Sequence, residues 1–235
     1  MLKEGADFID IGGYSSRPGA ENISVDEEID RIEKAIDLIL KNFPDTLISI
    51  DTFRHEVAQI AVQSGAAIIN DISGGTLDSE MWKTAAKLNC PYVLMHMRGN
   101  PKTMTSLTQY QNVTVEVLKD LSEKIRMARS FGINDIIVDP GFGFAKTKEQ
   151  SFELLNNLDL FLNLDFPVLV GVSRKSFIYK TLNASPEEAL NGTIILNAIA
   201  LLKGSSILRV HDVAEAVECI KIAQNLEPIQ TYNYF

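Results

Sequence analysis

Cysteine is scarce in this 235-residue chain. Only Cys90 and Cys219 occur, too few for a disulfide framework or a four-ligand zinc site. Both read as small buried hydrophobes of a protein kept in a reducing compartment. Long apolar runs are missing as well: none approaches the roughly 20 residues that a membrane-spanning helix needs, and Met1-Leu2-Lys3-Glu4 does not open a secretory signal. Positive charge is in deficit. Lys and Arg number 22 against 31 Asp and Glu, a net charge of −9, which argues against a nucleic-acid surface but leaves room for a local cationic pocket. No Gly/Ser-rich linker, charge block, low-complexity tract or short repeat divides the chain, so residues 1–235 read as one domain. Secretion and membrane insertion are set aside, and a cytoplasmic protein is expected.

What the chain does have is apolar material in short, regularly spaced runs. Hydrophobic residues make up 46% of it, enough for a large core. Seven β-type runs stand at 6–11 (ADFIDI), 47–50 (LISI), 67–70 (AIIN), 92–96 (YVLMH), 135–138 (DIIV), 167–171 (PVLVG) and 206–210 (SILRV). Segments of helical period lie between them. In 24–42, Ile29, Ile32, Ile36, Ile39 and Leu40 fall on one face, and Ser24 followed by Glu27 reads as a capping box. Ser185-Pro186-Glu187-Glu188 reads as a second helix start, with proline at the first helical position. Strand and helix alternating seven times imply a parallel sheet with right-handed crossovers. The runs are apolar throughout, as strands buried on both faces are. The fold class expected is α/β, a (β/α)8 barrel with seven of its βα units in this chain. An open doubly wound sheet is the alternative, and no GxGxxG follows an early strand to favour it.

In such a barrel the chemistry gathers at the C-terminal strand ends. The residues at or just after those ends are Asp10, Asp51, Asn70 with Asp71, His96 with Arg98, Asp139, Ser173 with Lys175, and Arg209 with His211 and Asp212. An aspartate after a strand is often only a helix cap, the reading given to Asp212; Asp71 is open to a structural reading too. Seven polar ends in register converge on one mouth. Asp51, Asn70 and Asp139 offer acceptors and an amide suited to the edge of a nitrogen heterocycle, because a buried carboxylate needs a donor. Arg17, Lys175, Arg209 and His211 are cationic groups suited to phosphate or pyrophosphate. The residues alone thus point to a small-molecule enzyme whose substrate joins an anionic group to a polar ring.

The runs IDIGGYSSRPGA, ISIDTFR, IINDISGG, LMHMRGNPKTM, IIVDPGFGFAKT, VGVSRKSF and ILRVHDV, in this order, resemble the dihydropteroate synthase family. The resemblance covers Asp7 to Val213. It implies a barrel enzyme that joins 6-hydroxymethyl-7,8-dihydropterin pyrophosphate to p-aminobenzoate, releasing pyrophosphate, in folate biosynthesis, with sulfonamides competing for the p-aminobenzoate site. Carried over, Asp51, Asn70 and Asp139 become pterin-reading groups, and Lys175 the lysine over the pterin. Ile72, Met95, Phe144 and Leu169 become the apolar walls of the slot. Arg209 and His211 become pyrophosphate binders, and Ser16, Arg17, Pro18 and Ser173 border the loop and the p-aminobenzoate site. Asp51 and Lys175 are the catalytic candidates. Asp51 is the negative charge beside the cation that forms once pyrophosphate leaves. Mg2+ is the implied cofactor and a homodimer the implied assembly.

Two departures from the family stand out. Tyr14 and Ser16 occupy positions where the family has glutamate and threonine. The family's first strand and loop, roughly NVTPDSFSDGG, whose asparagine helps to hold Mg2+, have no counterpart here. The expectation is therefore a barrel short of its first unit, with no metal ligand of its own. A pterin-binding paralogue with impaired catalysis is one alternative. A pterin-dependent methyltransferase domain is another, disfavoured by SRKS and RVHD.

Overall fold

The structure, a computed structural model, describes residues 1–15 and 21–226. All seven apolar runs are strands, mostly trimmed at their ends: β1 Phe8–Ile11, β2 Leu47–Asp51, β3 Ile68–Asp71, β4 Tyr92–Met95, β5 Ile136–Asp139, β6 Leu169–Val170 and β7 Ile207–Leu208. The helices that cross between or follow them are α1 Val25–Asn42, α2 His55–Gln63, α3 Met81–Leu88, α4 Val113–Ser130, α5 Lys148–Asn156, α6 Ser176–Leu182, α7 Leu190–Leu202 and α8 Val213–Ala223. Strands β1 to β5 pair in chain order as one parallel sheet, and β6 pairs with β7. A single bridge, Val138 to Val168, joins the two. Among the described residues β7 does not pair with β1, so no closed barrel forms.

Both faces of the central strands are nevertheless covered. Alternate residues such as Ile48, Ile50, Ile69, Leu94 and Val138 face the helices in the main core. Their neighbours Ile68, Val93 and Leu169 form a second, inner cluster with Ile137 and Ile207, as a period of two requires. A cavity of about 380 Å3 is lined by at least one residue from every strand: Phe8, Ser49, Ile68, Val93, Ile137, Leu169 and Ile207. The strands therefore curve around one interior. The expectation of full burial fails at the two ends of the arc, where Phe8 is 40% exposed and both β7 residues are half-buried. Among the described residues each of these strands has no neighbour on its outer side.

Local signals are only partly realised. Ser24 caps α1 by accepting from the Glu27 amide, but the Glu27 carboxylate pairs with Arg31 at 2.6 Å and does not close the box. The proline-led start at Ser185 is not a helix start. Residues 185–189 make a turn and α7 begins at Leu190, because Arg174 draws the Pro186 and Glu187 carbonyls toward its guanidinium at 3.1 and 2.9 Å. A complete capping box sits instead at Thr147 and Gln150. Cys219 is buried, whereas Cys90 is only partly so, and both are free thiols.

Candidate functional site

Parallel pairing sets the polar strand ends level in two staggered pairs, since Asn70 itself stands opposite Val93. Asp51 of β2 is in register with Asn70 of β3, and Met95 of β4 with Asp139 of β5. All lie at the C-terminal end of the arc, one inward step beyond the apolar cluster of Ile68, Val93 and Leu169. A guanidinium spans the opening. Arg209 Nε donates to Asp10 Oδ2 at 2.6 Å, and its terminal nitrogen to Asp51 Oδ2 at 2.9 Å. Asn70 Nδ2 donates to both oxygens of Asp10 at 3.2 and 3.4 Å. Asp10 thus ties β1 to β3 and to the residue after β7.

Burial sets the proton affinities here. Asp51 is pushed up to about 7 by loss of solvent and by the charge of Asp10, against which Arg209 pulls down. Asp139 is also raised by burial, opposed by Lys175. Lys175 is lowered to about 8 by burial, opposed by Asp139. For Arg209 the same desolvation is outweighed by Asp10 and Asp51, which hold its proton more firmly. A carboxylate near neutrality beside a lysine near neutrality is the kind of pair that functional sites build.

The β5–α5 loop forms one wall. Asp139 accepts from the Gly141 amide at 2.7 Å, Lys175 Nζ donates to the Phe142 carbonyl, and the lysine lies 4.9 Å from the centre of the Phe144 ring. Ile72 and Met95 pack in one apolar cluster, with Phe144 against it. Leu169 is not part of that wall. It belongs to the inner cluster with Ile68 and Val93, where an inward-facing residue of β6 forms the floor of the cavity. Ser173 Oγ accepts from the His211 amide at 3.2 Å and lies 2.9 Å from His211 Nδ1, so these two site candidates meet. Ser16, Arg17 and Pro18 lie outside the described residues.

Other strand-end residues have structural work. Asp71 is fully buried and accepts from Ser73, the Gly75 amide and the Tyr92 hydroxyl. Asp212 stands at the start of α8 but makes no side-chain cap; Arg174 claims both its oxygens at 2.7 and 3.0 Å. Lys146 was invisible in the sequence, one more lysine in a glycine-rich loop. It is 8% exposed and donates to His96 Nδ1, the Gly141 carbonyl and the Phe144 carbonyl at 2.8, 2.9 and 3.0 Å. Burial and that lysine push the proton affinity of His96 far below its ordinary value. In the sequence Asp10 reads as a strand end only; its partners are 60 and 199 residues away, a separation no local pattern encodes.

The family model described as "Pterin binding enzyme" matches residues 1–211. A dihydropteroate synthase of Synechocystis is 45% identical over 229 residues, 96% of this chain and 79% of the relative. Among solved structures, the Yersinia pestis dihydropteroate synthase in a sulfonamide drug complex superposes with a TM-score of 0.91 at 36% identity, covering 95% of this chain and 81% of that one. The Xanthomonas albilineans dihydropteroate synthase with 4-aminobenzoic acid gives 0.89 at 37%, covering 95% and 80%.

Proposed function

This chain belongs to the dihydropteroate synthase family of pterin-binding enzymes, and from that premise we infer that its strand-end site condenses 6-hydroxymethyl-7,8-dihydropterin pyrophosphate with p-aminobenzoate. The observation that carries the reading is the convergence of Asp51, Asn70, Asp139 and Lys175 at one end of the arc, with Arg209 across it. Asn70 supplies an amide and the two carboxylates supply acceptors, a set that matches the donors and acceptors along a pterin edge. The ring would lie between the Ile72, Met95 and Phe144 wall and the Lys175 stem, above the Leu169 floor. Arg209 and His211 would face the pyrophosphate, and Ser173 the aminobenzoate side. In the reaction the bond from the pterin methylene to pyrophosphate oxygen breaks. The aniline nitrogen then bonds to that carbon and loses a proton. Asp51, beside the developing cation, stabilises it electrostatically.

Mg2+ fits poorly among the described residues. It demands oxygen ligands in near-octahedral array, yet the Asp10 and Asp51 carboxylates are engaged by Arg209. Among the described residues, the trio able to converge on a metal, His55, Glu56 and Asp78, includes an imidazole, which suits softer transition metals.

The strand arc supports the finer reading of an eight-stranded barrel with one strand position open between β7 and β1, where Arg209 now crosses to Asp10. Helices α7 and α8 leave Ile195 58% and Ile222 67% exposed, apolar surface that a homodimer would cover. No helix among the described residues is long and apolar enough to cross a membrane, and two free thiols accord with the reducing cytoplasm. A steady-state assay with both substrates, following dihydropteroate and pyrophosphate, tests the activity. Pterin binding without turnover would overturn it in favour of a non-catalytic pterin binder.

A further inference from the structure

Arg209 is the cation best placed to meet a pyrophosphate, yet it is already engaged. Its Nε lies 2.6 Å from Asp10 and a terminal nitrogen 2.9 Å from Asp51, with the guanidinium side chain still 48% exposed. Both carboxylates are only 17% exposed. Asp10 does two things at once: it holds Arg209 through one oxygen and takes the Asn70 amide on both. It therefore links an anion-binding candidate and a ring-reading candidate to β1. Asp10 and Asp51 take two of the five guanidinium N–H donors, so an incoming phosphate oxygen takes the remaining ones or displaces Asp10, and in either case meets the Asp10 charge beside it.

We propose that Asp10 is a positioning residue of this site, which parks Arg209 toward the pterin side and competes with pyrophosphate for its guanidinium. The proposal rests on the pterin-pyrophosphate reading of the site. Its consequence is a definite sign. A charge on Asp10 weakens pyrophosphate binding, so that pyrophosphate departs readily after the reaction and Arg209 returns to its position between Asp10 and Asp51.

The test is calorimetric titration of the whole chain with inorganic pyrophosphate and, separately, with a pterin analogue. Asp10→Asn keeps the shape and an acceptor for Asn70 but removes the charge. Pyrophosphate should then bind about three- to tenfold more tightly, the range expected for loss of a competing, partly exposed ion pair, while pterin affinity changes by less than about threefold. Asp10→Glu, which keeps the charge, should stay near the wild type. A merely structural role would weaken both ligands together or neither. If Asp10→Asn lowers the melting temperature sharply, Asp10→Ser, free of charge and small enough for the strand end, gives the same comparison. Unchanged or weaker pyrophosphate binding in a folded, uncharged variant overturns the proposal. Absence of pyrophosphate binding in the wild type, or wild-type affinity in Arg209→Ala, would instead bring down the reading on which it rests, and the proposal with it.

Discussion

Asp51 sits where two opposing demands meet. Burial and Asp10 raise it to about 7 from an ordinary 3.8, while Arg209 restrains the rise. Because the folded value lies above the unfolded one, the folded state holds the proton more tightly. Its contribution to stability is fully present below about pH 4 and is lost as pH rises toward 7. Asp51→Asn has no such proton to lose. The melting temperature of the variant relative to the wild type should therefore climb between pH 5 and pH 8, even as pterin binding falls; a difference that stays flat across that window would remove the shifted carboxylate. Asp139 makes a simpler case. It is 7% exposed and, in the proposed pose, accepts from ring donors. Asp139→Asn presents a donor in part of that place. With hydrogen bonds to a charged group worth about 1.5–3 kcal/mol each, affinity for a pterin analogue should fall at least about tenfold by calorimetry.

At the scale of elements, the loop after β5 carries the most constraint. Gly141 adopts φ +71, and a Cβ there would lie 2.0 Å from the His96 carbonyl oxygen, so the loop can press against β4 only without a side chain. Lys146 then secures it through the Gly141 and Phe144 carbonyls, and the same loop presents the Phe142 carbonyl and the Phe144 ring to Lys175. Gly141→Ala should cost roughly 2–4 kcal/mol in chemical denaturation, combining positive-φ strain with the clash. It should also weaken pterin binding by displacing the Lys175 seat. Wild-type stability would mean that the loop yields without consequence.

Over the whole molecule, the arc is firm in the middle and exposed at its ends. Ile48, Ile69 and Leu94 in β2 to β4 are fully buried, while among the described residues β1 and β7 each have one unpaired edge. Native-state hydrogen exchange should therefore be slowest in β2 to β4 and orders of magnitude faster in Phe8–Ile11 and Ile207–Leu208, which lack a second neighbour. Equal protection across all seven strands would mean that the two ends are paired in solution.

The order of elements, the parallel arc and most of the polar layer were legible in the amino-acid sequence. Apolar runs of four to six residues ending in Asp, Asn, Lys or Arg are local patterns, and the alternation of strand and helix leaves few topologies. Asp51, Asn70, Asp139 and Lys175 stand out from their place at or after strand ends; parallel register sets Asp51 opposite Asn70, and the loop after β6 supplies Lys175. Partnership was not legible. That Arg209 is shared by Asp10 and Asp51, that the Asp212 carboxylate serves Arg174 and not the start of α8, and that Lys146 clamps the loop beneath Lys175 each depend on groups brought together from distant parts of the chain. The failed helix start at Ser185 has the same origin, since a tertiary guanidinium took the carbonyls that its first turn needed. Chain-local chemistry determines what an element is. Which charges face each other, and so which proton affinities shift, is decided only when the strands curve around a common interior and exclude water from it.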